Sequence, residues 1–168
     1  VKLLRKDIRS VVRIDIMLLR VFLRMFRPLF SSQTRNSIEA VLRAFTEVIL
    51  QEVSMEHELA NLQQFSEEYA TSGIRFPHPY PEYCSDTALV MSFESGVRID
   101  DTKAVARLKV EFSGLMEQLV LFYTEQMLVK GFFHADPHPG NLLVNEAGEL
   151  VLLDFGMVSR IPHHVRQA

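Results

Sequence analysis

The segment from Phe132 to Gly156 leaves this chain few ways to fold. Its first half, Phe132-Phe-His-Ala-Asp-Pro-His-Pro-Gly140, sets two prolines and a glycine within positions 137–140. Each proline removes a backbone donor and biases its predecessor toward extended geometry, so no helix passes through. The second half reads as a hairpin: Leu142-Leu-Val144, a turn at Asn145-Glu-Ala-Gly148, then Leu150-Val-Leu-Leu153. Polar residues flank it, with His134, Asp136 and Asn141 before and Asp154 after. A hairpin therefore brings two carboxylates and one carboxamide to one end. Oxygen donors of this kind are what Mg²⁺ accepts while it retains waters and substrate phosphates. Asp136 and Asn141 lie five apart in a tight loop, so one side chain can face an incoming hydroxyl while the other faces a metal. Phosphoryl transfer needs that division of labour.

The rest of the chain is mostly helical in pattern. Val1-Lys2-Leu3-Leu4 reads as the end of a strand. Ile8, Val11, Val12, Met17, Leu18, Phe22, Met25 and Phe26 predict a helix from an Asp7 cap to a stop at Pro28. Asn36-Ser-Ile-Glu39 resembles a capping box opening a long helix toward Tyr69, with Gly73 as its stop. Phe76-Pro-His-Pro-Tyr-Pro81 cannot be helical. The following run to Phe93 predicts a hairpin turning at Ser85-Asp86, and Asp100 or Asp101 caps another helix ending at Gly131. The single cysteine, Cys84, excludes a disulfide framework and a Cys-based zinc cluster. No apolar run reaches the roughly 18 residues a spanning helix needs. Val1 in place of Met, and the absence of a signal pattern, read as a piece of a longer protein.

The net charge of −3 conceals an uneven distribution. Residues 1–36 carry nine basic and two acidic side chains, and residues 37–100 carry three basic and eleven acidic ones. The total gives no case for nucleic-acid binding. Arg13, Arg20, Arg24 and Arg27 fall on one helix face. They make either a solvated stripe opposite the core or a contact with an anionic membrane surface or acidic partner.

The His134-x-Asp136-x-x-x-x-Asn141 loop, the hairpin and Asp154-Phe-Gly156 resemble the catalytic loop and metal-binding segment of protein kinases. The fuller strings, His134-Ala-Asp-Pro-His-Pro-Gly-Asn141 and Leu153-Asp-Phe-Gly-Met157, resemble the UbiB (AarF, ADCK) family of atypical kinases. Typical protein kinases have Arg where this chain has Ala135. The resemblance implies a truncated α+β protein-kinase-like fold, predominantly helical with two short β-hairpins. Residues 1–93 would form the N-lobe portion with long inserted helices, and 94–168 the start of the C-lobe.

By this resemblance Asp136 is the catalytic aspartate, and Asn141 and Asp154 are Mg²⁺ ligands. Lys2 is the nucleotide-binding lysine and Glu58, ahead of Leu59-Ala60-Asn61, its partner, with Glu56 the alternative. Met91 and Phe93 lie in the hinge whose backbone meets adenine. His134 supports the loop through a hydrogen bond or titrates in catalysis. His138 packs locally or touches substrate, and His163 and His164 are assigned no metal. The family's phosphate-covering loop and Lys-x-Gly-Gln segment do not occur in this sequence. The implied cofactors are ATP and Mg²⁺, and the implied setting is isoprenoid quinone biosynthesis. Its partners would be quinone-biosynthesis proteins, an anionic membrane surface or an isoprenoid lipid, on a cytoplasmic or organelle-matrix face. Two other readings stand beside it: a small-molecule phosphotransferase of the aminoglycoside or choline kinase type, and an inactive pseudokinase or lipid-binding scaffold.

Overall fold

The computed structural model describes residues 1–166, without the side chains of Gln51 and Glu52. Strand β1 (Lys2–Leu3) leads into two long helices, α1 (Ile8–Met25) and α2 (Ser32–Glu52), and then α3 (Met55–Glu68). Short strands β2 (Ala88–Leu89) and β3 (Val97–Arg98) follow, then α4 (Thr102–Arg107) and α5 (Phe112–Thr124). The remainder holds β4 (Phe132–His134), β5 (Leu142–Val144), β6 (Leu150–Leu152), β7 (Val158–Arg160) and α6 (His163–Arg166). This is an α+β chain with three small antiparallel sheets, ordered β1-β2, β3-β5-β6 and β4-β7.

The β5–β6 hairpin forms where the sequence places it, with Leu142 opposite Leu152 and Val144 opposite Leu150. Asn145 closes its turn by accepting from the N–H groups of Ala147 and Glu149 at 3.0 and 2.9 Å. An Asn side chain can do this because it mimics a backbone carbonyl within a turn. The first expected hairpin forms as isolated bridges rather than a continuous ladder. It closes through a tight Ser85–Ala88 turn and a Pro79–Met91 bridge, and Ala88 and Leu89 also pair on their other edge with Leu3 and Lys2. That added pairing seats Lys2 in a two-stranded sheet.

Helix boundaries also depart from the sequence pattern. Asp7 sits at the N-terminus of α1 in the left-handed region, and its side chain makes no cap. The expected box at Asn36–Glu39 lies inside α2, which starts earlier, with Ser31 accepting from Thr34 N–H at 3.2 Å. The long stripe toward Tyr69 is broken at Ser54. Its extended backbone and its hydroxyl, which accepts from His57 N–H at 3.2 Å, start α3 afresh. Arg9 secures the break, donating to the Val53 carbonyl at 3.0 Å and pairing with Asp86 at 2.9 Å. The helix expected from Asp101 likewise divides into α4 and α5. Asp101 caps the first by accepting from Ala104 N–H, and the second continues into a π-helical turn, Glu125–Lys130.

The core lies between α3, α5 and the strands. Phe65 is fully buried, and its ring stands 5.3–5.7 Å from those of Phe155, Phe132 and Phe76. Leu62, Tyr69, Phe122, Val144, Leu150 and Leu152 close around it. Burial of such rings contributes roughly 1.5–3 kcal/mol each. The α1–α2 hairpin stands outside this core. Ile16 is buried, but Val11, Ile14, Leu18, Val21, Phe22 and Met25 form an exposed apolar face of α1. Arg13, Arg20, Arg24 and Arg27 are exposed as well, on another side of the helix from that apolar face.

Gly96 enters β3 against β5, where an added Cβ would stand 2.8 Å from the Val144 carbonyl oxygen. Backbone cannot move aside there as a side-chain tip can. Gly96→Ala is expected to destabilise the full-length protein by about 1–3 kcal/mol, read as a lower melting temperature. An unchanged melting temperature would contradict the strand packing.

Candidate active site

Three elements meet at Lys2. From β1 its Nζ reaches Glu58 Oε1 on α3 at 2.8 Å and Asp154 Oδ2 beyond β6 at 3.0 Å. Glu58 is 2% exposed, so its charge needs donors. Lys2 supplies one and Phe155 N–H another, at 3.3 Å. Burial lowers the Lys2 pKa and the two carboxylates raise it. The carboxylates prevail, and the ammonium holds its proton more firmly than usual. Burial likewise pushes the Asp154 carboxyl up, but Lys2 and the Gly156 N–H outweigh it, holding Asp154 below its ordinary 3.8.

Asp154 adopts φ 59°, the left-handed region an aspartate enters only at some cost. Local bonds hold it there. Its Oδ1 accepts from Gly156 N–H at 3.2 Å, and its carbonyl accepts from the His134 ring at Nε2. His134 is 1% exposed, and burial pushes its imidazole below the ordinary 6.5. The ring therefore supports the loop as a neutral donor, the first of the two roles weighed above.

The second cluster is the loop itself. Asn141 Nδ2 donates to Asp136 Oδ2 at 2.8 Å, and the Asn141 carbonyl accepts from Leu153 N–H at 2.8 Å. This ties Asp136 to the start of the hairpin whose far end carries Asp154. Asp136 Oδ1 has no hydrogen-bond partner among the described residues, so one carboxylate oxygen remains available. His138 folds back locally, with Nδ1 accepting from Gly140 N–H at 3.0 Å.

Met91 pairs with Pro79 through an isolated antiparallel bridge. The bridging bonds are Tyr80 N–H to the Val90 carbonyl and Ser92 N–H to the His78 carbonyl. Because successive peptide groups alternate sides along an extended chain, the N–H and C=O of Met91 point away from that pairing. Phe93 projects its side chain into solvent, 91% exposed. The structure thus brings Lys2, Glu58 and Asp154 into one ion-paired group and Asp136 and Asn141 into another. Met91 and Phe93 take part in neither, and Glu56 is exposed while Glu58 faces Lys2.

Several supporting residues carried no assigned role in the sequence reading. Asn61 Nδ2 donates to the Phe155 carbonyl at 2.8 Å, so Glu58 and Asn61, three apart on α3, grip both sides of one residue. That Glu-x-x-Asn spacing was a legible signal. Gln126 is buried in the π-helical turn, and its Oε1 accepts from His134 N–H at 2.8 Å. No sequence pattern announces that turn. The Tyr123 hydroxyl is buried without a hydrogen-bond partner among the described residues, and burial together with Asp136 pushes the phenol up to about 12.

An ion-paired lysine on a short strand, a helix glutamate, and an Asp–Asn loop ahead of a hairpin ending in Asp-Phe-Gly define a kinase-like domain. The ABC1 atypical kinase-like domain model matches residues 1–168, and the chain belongs to that family. Protein ACTIVITY OF BC1 COMPLEX KINASE 8, chloroplastic, of Arabidopsis thaliana is 32% identical over 99% of the chain and 22% of its own length. The probable protein kinase UbiB of Klebsiella pneumoniae is 28% identical over 96% of the chain and 30% of its length. Rv3197 of Mycobacterium tuberculosis, solved with erythromycin, superposes with a TM-score of 0.62 at 21% identity, over 90% of this chain and 37% of that one. That likeness concerns the fold. The chain spans less than a third of each of these curated relatives. Among the described residues no helix is long and apolar enough to cross a membrane.

The depressed His134 has a consequence for stability. Between pH 6.5 and its lower folded value, the unfolded chain binds a proton that the folded chain refuses, so stability falls as pH drops through that window. Asp154 adds a further loss only as pH falls below 3.8. The melting temperature of the full-length protein should therefore decrease from pH 7.5 to 5.5. His134→Gln, which keeps an N–H for the Asp154 carbonyl, should flatten that slope. An equal slope in both proteins would place the titrating group elsewhere.

Proposed function

We propose that this domain binds ATP with Mg²⁺ and supports phosphoryl transfer or ATP hydrolysis. The observation that carries the reading is the Lys2 ammonium, held within 3.0 Å of both Glu58 and Asp154. A cation so placed, on a strand and braced by a buried acid, suits a charged phosphate chain that water alone would otherwise solvate. Lys2 would exchange its Asp154 contact for phosphate oxygens while Glu58 keeps it in place. The Met91 N–H and C=O, with the backbone of Phe93 beyond, would meet the adenine edge, and residues 1–93 and 94–168 would form the two sides of the cleft.

The donor set fits Mg²⁺. Asp154 offers a carboxylate, and Asn141, whose Nδ2 is spent on Asp136, offers its carboxamide oxygen. No group of three or more His, Cys, Asp or Glu side chains forms a metal cage among the described residues. Mg²⁺ does not require one, since it keeps waters and takes phosphates as its other ligands. When bound, the ion supplies charge neutralisation at the phosphates. The free Oδ1 of Asp136 would accept the proton of an attacking hydroxyl or water, and Asn141 fixes the carboxylate's orientation for that task. Isoprenoid quinone biosynthesis at a membrane is the process this family resemblance favours for the parent protein.

Mg²⁺-dependent ATP turnover by the full-length parent provides the test. Asp154→Asn keeps the size of the side chain and removes its charge, and should lower turnover by at least about 100-fold, as losing a group that stabilises the transferring phosphates does. Equal rates in both proteins would end the metal-ligand assignment. A melting-temperature rise with Mg²⁺ and ATP, lost in Lys2→Met, checks nucleotide binding independently of turnover.

A further inference from the structure

The arginines of the first two helices converge. Arg20, Arg24 and Arg27 on α1 and Arg35 and Arg43 on α2 line a cavity of about 460 Å³, joined by a single acid, Glu39. Its floor is apolar, formed by Leu23, Ile38 and Leu42. Arg20, Arg24 and Arg27 are four and three residues apart, a spacing that stacks like charges on one helix face at a cost to the helix. Arg20, Arg24, Arg27 and Arg43 reach solvent, Arg35 is half-buried, and Glu39 is the acid on their wall. Among the described residues none of the five forms an ion pair, and only Arg35 donates to a backbone carbonyl, that of Phe30 at 3.2 Å. Elsewhere Arg9, Arg75 and Arg98 all have carboxylate partners.

We infer that this cavity is a binding site for a phosphate-bearing anion, a phosphate monoester or diphosphate group attached to an apolar body. The planar guanidinium fork matches phosphate oxygens in pairs, and several arginines can share one doubly charged group. A carboxylate offers too few acceptors and too little charge for five donors of this kind. The apolar floor supplies the surface for the organic part. Across the α1–α2 seam the same Leu23, Ile38 and Leu42 also back a second hollow of about 300 Å³, lined by Leu19, Val41 and Phe45. The hairpin therefore has a basic flank and an apolar flank on one shared wall, which suits an amphiphilic ligand better than a simple salt. None of the lining residues belongs to the Lys2–Asp154 or Asp136–Asn141 groups, so the site is separate from the proposed nucleotide site. The headgroup of an anionic lipid and a free phosphate compound share this chemistry.

The test uses the full-length protein with two probes: pyrophosphate in solution, followed by calorimetry, and phosphatidylcholine vesicles with and without phosphatidic acid, followed by flotation. Three proteins are compared, the wild type, the cavity variant Arg24→Gln/Arg35→Gln/Arg43→Gln, and a charge-matched control, Lys6→Gln/Lys103→Gln/Arg107→Gln. The cavity variant should lose at least about tenfold in affinity for whichever probe the wild type binds, as loss of charge-assisted bonds to phosphate requires, and the control should not. Loss confined to pyrophosphate identifies a soluble ligand, and loss of phosphatidic acid vesicles identifies a lipid headgroup. Glu39→Gln should tighten binding. The inference is overturned if the wild type binds neither probe, if the cavity variant binds as well as the wild type, or if the control loses as much. Single variants Arg24→Gln and Arg43→Gln, each with a partial loss, carry the test if the triple variant does not fold.

Discussion

A buried carboxylate must be given donors or it unfolds what buries it, and Glu58 is such a group. Its two donors come from opposite ends of the chain, Lys2 Nζ and Phe155 N–H. Neither can be replaced by a shift of α3 alone, because the next turns of that helix are also committed. Asn61 holds the Phe155 carbonyl, and Phe65 stacks against the Phe155 ring. Positions 58, 61 and 65 lie along one face of α3, so the helix grips a single residue through a charge, an amide and a ring. Strand β1, helix α3 and the Asp-Phe-Gly segment are thereby locked in one register. Removing Lys2 would leave an uncompensated charge, and so Lys2 supports the fold as well as the site.

The same locking explains how Asp154 is kept in a backbone region it would otherwise avoid. Phe155 anchors the chain in the aromatic core on one side, and His134 and Gly156 hold the aspartate on the other. His134 is in turn set by Gln126 from the π-helical turn of α5. Strain of this kind persists only where the surroundings over-determine it. Here they consist of a helix, a turn and a hairpin that share few sequence neighbours. The side chains of the site are positioned by elements whose own packing lies several residues away.

The α1–α2 hairpin follows a different logic. It is inserted between β1 and α3, is fastened mainly at its base by Arg9, and keeps much apolar surface exposed. Surface of that extent and kind usually meets a partner. Its cavity arginines line one flank, where all but the half-buried Arg35 reach solvent, and the exposed apolar residues of α1 lie on another.

The Asp136–Asn141 loop and the β5–β6 hairpin were legible because proline, glycine and asparagine act on the backbone locally, whatever surrounds them. The pairing of Glu58 over Glu56 with Lys2 came from the resemblance to a family, and the geometry of α3 agrees with it. Local chemistry could not foresee that Ser54 would break a continuous apolar stripe, or that Ala88 and Leu89 would add a pairing with β1. In both cases a long-range contact, Arg9 at Val53 or Lys2 opposite Leu89, is made by residues far apart in the chain. Nor could periodicity tell which side of α1 faces protein, since apolar residues surround much of that helix. The sequence by itself determined the chemistry available at each end of the hairpin. Only the tertiary structure decided which charges would meet, because a buried acid selects its partner by where donors converge in space.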